Sequence, residues 1–218
     1  MKWLVAMECS AVIRDALRRR GHDAWSCDVK PCEGDPRWHI EANVFSHAVV
    51  NGGWDGMIAH PDCTFLTRAG ALHMQIPWRR EAQMAAVYNV RALWAFPVRL
   101  KAIENPLGRL STLWRKPDQI IQPHMFGHPE FKATAWWLDG LPPLLATDQL
   151  EVPKRGTREY VLWGRVHREG PGADRATRRS RTLEGIAEAI ADQWGSVTLP
   201  LPGHSLAFDI GVPGCSLA

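Results

Sequence analysis

The stretch that ends at Asp28 constrains the fold more than any other part of the chain. Residues 3–7, Trp-Leu-Val-Ala-Met, form a short continuous apolar run that reads as a buried strand. A turn at Glu8, Cys9 and Ser10 follows, then a helix over residues 11–20 that Gly21 stops. Residues 24–27 read as a second strand closed by Asp28. A strand, helix, strand unit of this length crosses over right-handed onto a parallel neighbour. It leaves a carboxylate at the carboxyl end of the second strand, where parallel sheets hold the ribose hydroxyls of adenosine.

The rest of the chain continues the alternation. After a Gly/Pro loop over 31–38, residues 39–44 predict a third strand and 45–51 a helix closed by Gly52-Gly53. Residues 54–59 form the next strand, ending abruptly at His60-Pro61-Asp62-Cys63-Thr64. A loop over 64–78 precedes the longest helix, 79–96, and residues 100–103 give a strand that ends at Glu104-Asn105-Pro106. Residues 119–126 and 134–138 read as an antiparallel pair at the sheet edge. Residues 182–194 form an amphipathic helix with Leu183, Ile186, Ala187, Ile190 and Trp194 on one face. The expected fold is α/β, a mostly parallel doubly wound sheet with an antiparallel edge hairpin. It occupies one domain over 1–195, with a short insert at about 151–178 and a loosely ordered tail over 196–218.

Composition narrows the function classes. A chain of 218 residues fits one domain, and with 45% hydrophobic and 22% charged residues it buries a core rather than staying disordered. The net charge of +3 does not by itself imply a nucleic-acid partner. Its distribution is uneven, with Arg165, Arg168, Arg175, Arg178, Arg179 and Arg181 crowding one stretch. That stretch is either a polyanion-binding surface or a solvated basic loop. Five cysteines at irregular spacing argue against a disulfide framework and for a reducing compartment. Cys27 and Cys32 have no matching second pair, so no metal site is expected. Glu8 and the arginines behind it spoil a signal peptide, and no run approaches the ~20 apolar residues of a membrane span. A cytoplasmic location with no membrane partner follows as the expectation.

Two strand ends carry the chemistry. Thiolates are strong nucleophiles when a nearby dipole or base lowers their pKa. A lone cysteine is more often a small buried hydrophobe. Cys63 differs because it lies just past the end of a sheet strand, where open α/β sheets place their ligands. Glu104 ends a second strand some forty residues later, and the pair is more specific than either residue alone.

The order of these segments resembles that of the DNA cytosine 5-methyltransferases, especially short phage-type members. The resemblance rests on Trp54-Asp55-x-Met57-Ile58-Ala59-His60-Pro61-x-Cys63-Thr64, then Ile103-Glu104-Asn105-Pro106. It continues in Gln122-Pro123-x-x-Phe126-Gly127, Lys132-Ala133-Thr134 and Arg179-Ser180-Arg181-Thr182 leading to Gly185-Ile186-Ala187. It spans most of residues 1–195 and implies a sheet of the S-adenosylmethionine-dependent methyltransferase type.

The resemblance also implies roles. Cys63 would add to carbon 6 of a flipped cytosine while Glu104 hydrogen-bonds the ring nitrogen and amino group; carbon 5 would then take a methyl group from S-adenosylmethionine. Glu8, Cys9, Ser10 and Ala11 would surround the methionine part of that cofactor, with Asp28 on its ribose, Asn43 near its adenine and Pro61 also at the cofactor site. Arg68, Asn105, Lys132, Thr134, Arg179 and Arg181 would contact the DNA. The chain departs from the family's pattern in three places. Cys9, Ala11 and Ile13 stand where glycines are spaced, Asn43 replaces an aspartate, and Asp62 replaces a proline beside the cysteine, where a carboxylate opposes thiolate formation. Two further readings stay open: a methyltransferase-like DNA-binding protein without catalysis, and an enzyme acting on RNA, nucleotide or an unusual pyrimidine. The short insert leaves room for few base contacts, so target recognition would be weak or supplied by a protein partner.

Overall fold

The structure, a computed structural model, describes residues 1–67, 75–168, 170, 172, 179 and 181–198. A seven-stranded sheet runs through it in the order β3-β2-β1-β4-β5-β7-β6. The strands are β1 (Lys2–Ala6), β2 (Asp23–Asp28), β3 (His39–Glu41), β4 (Gly56–Ala59), β5 (Leu100–Pro106), β6 (Gln119–Ile121) and β7 (Thr134–Asp139). All pairings from β3 to β5 are parallel, and β7 pairs antiparallel with both β5 and β6. The expected edge pair is therefore present, with β7 inserted between β5 and β6 so that the earlier strand forms the outer edge.

Helices cover both faces because the central strands are apolar on both sides, as parallel strands are. On one face Trp3, Val5, Ile58, Ala102 and Trp136 pack with Ile13, Ala16 and Leu17 of α1 (Val12–Arg19) and with Ile186, Ala187 and Ile190 of α7 (Glu184–Gln193). On the other, Leu4, Ala6, Met57, Ala59, Ile103 and Trp137 meet Val49 of α2 (His47–Val50), Val87, Val90 and Leu93 of α3 (Pro77–Trp94) and Leu110 of α4 (Leu110–Leu113). Alternate residues of each strand thus feed alternate layers. Arg20 joins α1 to α7 through Glu188 at 2.6 Å and through Asp192.

Three sequence expectations shift. The third strand stops at Glu41: after a last ladder bond from Ala42 N to Asp28 O the chain turns at Asn43, whose Oδ1 accepts from Phe45 N. The fifth strand runs to Pro106 instead of ending at Ile103, because β7 keeps pairing with it after β4 has ended. The expected insert at about 151–178, for which the sequence predicts no element, contains the short helices α5 (Arg158–Trp163) and α6 (Arg165–Arg168). Trp163 anchors α5 against Phe131 and His124. At the other end, Val197 packs on the core, so order reaches past the last helix; the expected tail from 199 onward lies outside the described residues. Among the described residues no helix is long and apolar enough to cross a membrane.

A candidate active site at the carboxyl ends of β1, β4 and β5

The site begins where the backbone ladder between β4 and β5 stops. The last paired residues are Ala59 and Ile103, and the same offset of 44 residues continues in side chains. His60 Nδ1 lies 3.3 Å from Glu104 Oε2, and Asn105 Nδ2 donates to Pro61 O at 3.1 Å. On the far side of β5, Glu104 is paired with Trp136 of β7, whose ring meets the His60 ring edge to face. His60, Glu104 and Trp136 thus form a row across three strands, on the sheet face that carries α1 and α7.

Cys63 enters this row from the loop after β4. Asn105 holds buried Pro61, and Leu66 N and Thr67 N donate to Cys63 O at 2.9 and 3.2 Å, giving the loop one turn of helix-like backbone. Asp62 Oδ1 accepts from Thr64 N at 2.9 Å and from Thr64 Oγ1 at 2.6 Å. This Asx-type turn sends Asp62 outward and leaves Cys63 half-buried. Burial pushes the Cys63 thiol above its ordinary pKa, the Glu104 and Asp62 carboxylates push it further, and Lys132 pulls it back. Asp62 therefore acts in the direction expected from the sequence, as a smaller cause than burial and Glu104.

Lys132 completes the cluster. Its ammonium donates to Arg181 O at 3.1 Å and its backbone N donates to Gln122 Oε1 at 3.2 Å. Burial lowers the Lys132 pKa, while Glu104 and Cys63 hold it up. Thr134, buried, donates from its hydroxyl to Lys132 O at 3.1 Å. Glu104, Lys132, Thr134, Trp136, Thr182 and Leu183 line a small open cleft. Its lining mixes charged, hydroxyl and apolar side chains.

Glu8, Cys9, Ser10 and Ala11, the residues expected around a cofactor, lie in the turn between β1 and α1. Met7 and Ala11 both take left-handed backbone conformations, with φ of 60° and 64°, at either end of Glu8-Cys9-Ser10. Such conformations are strained for residues other than glycine and mark a tightly folded turn. Glu8 is buried, and its Oε1 accepts from Ser10 Oγ at 3.0 Å and Ile13 N at 3.2 Å, while Oε2 has no partner. Burial raises its pKa, opposed first by the charge of His60. Cys9 O accepts from Glu33 N at 2.8 Å, and the Cys9 thiol is pushed up by burial and then by Asp28 and Glu33. The loop after β2 is itself held by fully buried Arg14, which donates to Ser26 Oγ at 3.2 Å and Asp35 O at 2.9 Å. Glu8 is buried beneath the turn, and Asp28 and Glu33 bear on Cys9 from its surface.

The structure gathers Glu104, Lys132 and Thr134 around one cleft and brings Cys63 within electrostatic reach of Glu104 and Lys132. Asn105 is inside the sheet, where it ties β5 to the Cys63 loop. Asn43 is exposed and accepts from Phe45 N at 2.9 Å in a local turn, and Asp28 Oδ1 accepts from Lys30 N at 2.9 Å. Arg181 pairs with Glu33 at 3.3 Å, bridging the C-terminal segment to the loop after β2, and Arg179 bears electrostatically on Lys132. Arg165 pairs with buried Glu130, so that part of the arginine cluster anchors the insert. Arg68, Arg175 and Arg178 lie outside the described residues. Sequence reasoning gave no role to His60 or Trp136. The signal for His60 was its place as the first residue past β4, in step with Glu104 past β5. Among the described residues no group of three or more His, Cys, Asp or Glu side chains is arranged to hold a metal. No family model matches the chain, and no curated protein matches it.

Proposed function

We propose that the protein is an S-adenosylmethionine-dependent cytosine 5-methyltransferase acting on DNA in the cytoplasm. The observation that carries this reading is the electrostatic coupling of Cys63 to Glu104 and Lys132, two residues that line one cleft. A thiol nucleophile and a carboxylate stand on neighbouring strand ends, with a cation between them in charge. The strand order with β7 reversed, together with the motif order, supports the sheet type that the resemblance implies.

The chain's own residues divide the work. Cys63 Sγ adds to carbon 6 of the pyrimidine, Glu104 protonates the ring nitrogen and accepts from the exocyclic amino group, and Lys132 offsets the negative charge of both. Glu8, Cys9, Ser10 and Ala11 form the turn that would hold the cofactor's methionine part, and the unpartnered Glu8 Oε2 is an acceptor fitted to its ammonium. Asp28 would take the ribose, Asn43 the adenine and Pro61 the wall between cofactor and base. When bound, the cofactor supplies an electrophilic methyl group to carbon 5. Asn105, Thr134, Arg179, Arg181 and Arg68 would position the DNA, directly or by holding the elements that touch it.

The described part of the insert holds only α5 and α6, which favours a substrate read at few bases. The deciding experiment incubates the protein with methyl-labelled S-adenosylmethionine and, separately, duplex DNA, single-stranded DNA, RNA and free nucleotides. Label at carbon 5 of cytosine in DNA supports the reading. Label only in RNA or nucleotide moves the substrate class, and cofactor binding without transfer to any of them refutes the DNA assignment.

A further inference from the structure

The face of α3 turned away from the sheet is apolar where a solvated helix is charged. Gln83, Val87, Val90 and Leu93 bury the opposite face against the core. On the outer face Trp78 is 55% exposed, Met84 54% and Tyr88 72%, with Ala85 and Ala95 exposed beside them. Large apolar side chains gathered on one exposed surface mark an interaction site. Trp78, Glu81, Ala85, Tyr88, Ala92 and Ala95 follow one another at alternating steps of three and four residues. That is the spacing of a seam along which two helices pair.

The seam is complementary to itself in one arrangement. When two copies of α3 run antiparallel about a two-fold axis, Trp78 falls opposite the partner's Ala95, Glu81 opposite the partner's Ala92 and Tyr88 opposite the partner's Ala85. Each long side chain thus meets a small one, which lets the helices approach to about 8 Å. Arg91 stands next to Ala92 and is exposed, so it reaches the partner's Glu81, and the two-fold axis makes that ion pair twice. A parallel pair would set Tyr88 against the partner's Tyr88 and Glu81 against the partner's Glu81. An antiparallel pair slid by seven residues either sets Trp78 against the partner's Tyr88 or leaves Trp78 and Glu81 beyond the end of the partner helix.

We propose that the outer face of α3 is the interface of a homodimer, an antiparallel helix pair centred between Ala85 and Tyr88 with a Glu81–Arg91 ion pair at each end. The contact is one helix of 18 residues per copy, about 27 Å long, which places it among the small, reversible interfaces. The sheet face that α3 covers is the one opposite α1 and α7, so pairing leaves the cleft at Glu104 and Trp136 open.

Sedimentation of the full chain over a range of protein concentrations tests the interface. A monomer–dimer equilibrium is expected, with its dissociation constant raised about 100-fold by Tyr88→Asp. Glu81→Arg and Arg91→Glu should each raise it about 10-fold, and the two together should return it close to the wild-type value, because the reversed pair still matches across the axis. These three positions are exposed, so every variant should unfold at the wild-type temperature, which separates loss of the dimer from loss of the fold. A chain that stays monomeric at every concentration overturns the proposal. So does a dimer that Tyr88→Asp leaves intact, or one that the double reversal does not restore. A monomer whose DNA binding falls in Tyr88→Asp overturns it as well and gives the face to nucleic acid.

Discussion

Past the end of the β4 and β5 ladder, Asn105 Nδ2 donates to Pro61 O at 3.1 Å, so the strand carrying Glu104 holds the loop carrying Cys63. Asn105 is 1% exposed, which makes this bond a clamp shielded from water. Asn105→Ala should lower stability by about 1–3 kcal/mol, since it leaves Pro61 O buried and unpaired. Denaturant unfolding measures the loss. Limited proteolysis after Pro61 should speed up in the variant under conditions where the wild type stays folded.

The charges around Cys63 set its reactivity. Burial, Glu104 and Asp62 all raise the thiol's pKa above its ordinary value, so little thiolate is present near neutrality and reactivity should climb as pH rises through the shifted value. Glu104→Gln removes one opposing charge and should speed iodoacetamide labelling of Cys63 several-fold at pH 8. Lys132→Met removes the helping charge and should slow it. Peptide mapping by mass spectrometry separates Cys63 from the other cysteines, and the opposite order of rates would show that these charges do not act on the thiol.

Glu8 has a distinct signature in stability. Its folded pKa is raised by burial, so the folded protein binds a proton more tightly than the unfolded chain. That contribution is fully present below the ordinary glutamate value and is lost as pH rises through the folded pKa. Glu8→Gln, which keeps the bonds to Ser10 and Ile13 without a charge, should raise stability at neutral pH by about 1 kcal/mol. The gain should vanish near pH 4. Thermal unfolding at the two pH values measures both, and a variant less stable than wild type at neutral pH would contradict this account of Glu8.

Much of this arrangement was legible in the residue order. Apolar runs ended by Glu8, Asp28 and His60 marked the strand ends, because parallel strands buried on both faces need continuous apolar sequence and a polar stop. What stayed hidden was register. Nothing local says that β4 and β5 pair with an offset of 44 residues, and only that offset places His60 beside Glu104 and Pro61 beside Asn105. The length of β5 was hidden for the same reason: Glu104 and Asn105 are polar, and only the antiparallel partner β7 keeps them in the sheet. Side-chain roles within turns, such as Asn43 accepting from Phe45 N, depend on backbone geometry that residue type alone does not fix.

Lys132 and Arg181 offer a test of the cleft's wall. The ammonium donates to Arg181 O, so Lys132 ties the segment before α7 to the cleft that Thr182 and Leu183 line. Lys132→Met should weaken DNA binding modestly and reduce any turnover by ten-fold or more, since both the closing segment and the charge balance of Glu104 depend on it. Fluorescence anisotropy and labelled-methyl transfer measure the two effects, and unchanged turnover would remove Lys132 from the site.

The central claim is that Cys63 is the nucleophile that bonds to the pyrimidine beside Glu104, and trapping with DNA containing 5-fluorocytosine tests it most directly. Fluorine at carbon 5 cannot leave as a proton does, so the covalent intermediate accumulates. With cofactor present, wild type should form a denaturation-resistant adduct, which Cys63→Ser abolishes, Glu104→Gln diminishes and Cys9→Ser leaves largely intact. A wild type that methylates cytosine while Cys63→Ser is equally active, or an adduct that persists in Cys63→Ser, would contradict it.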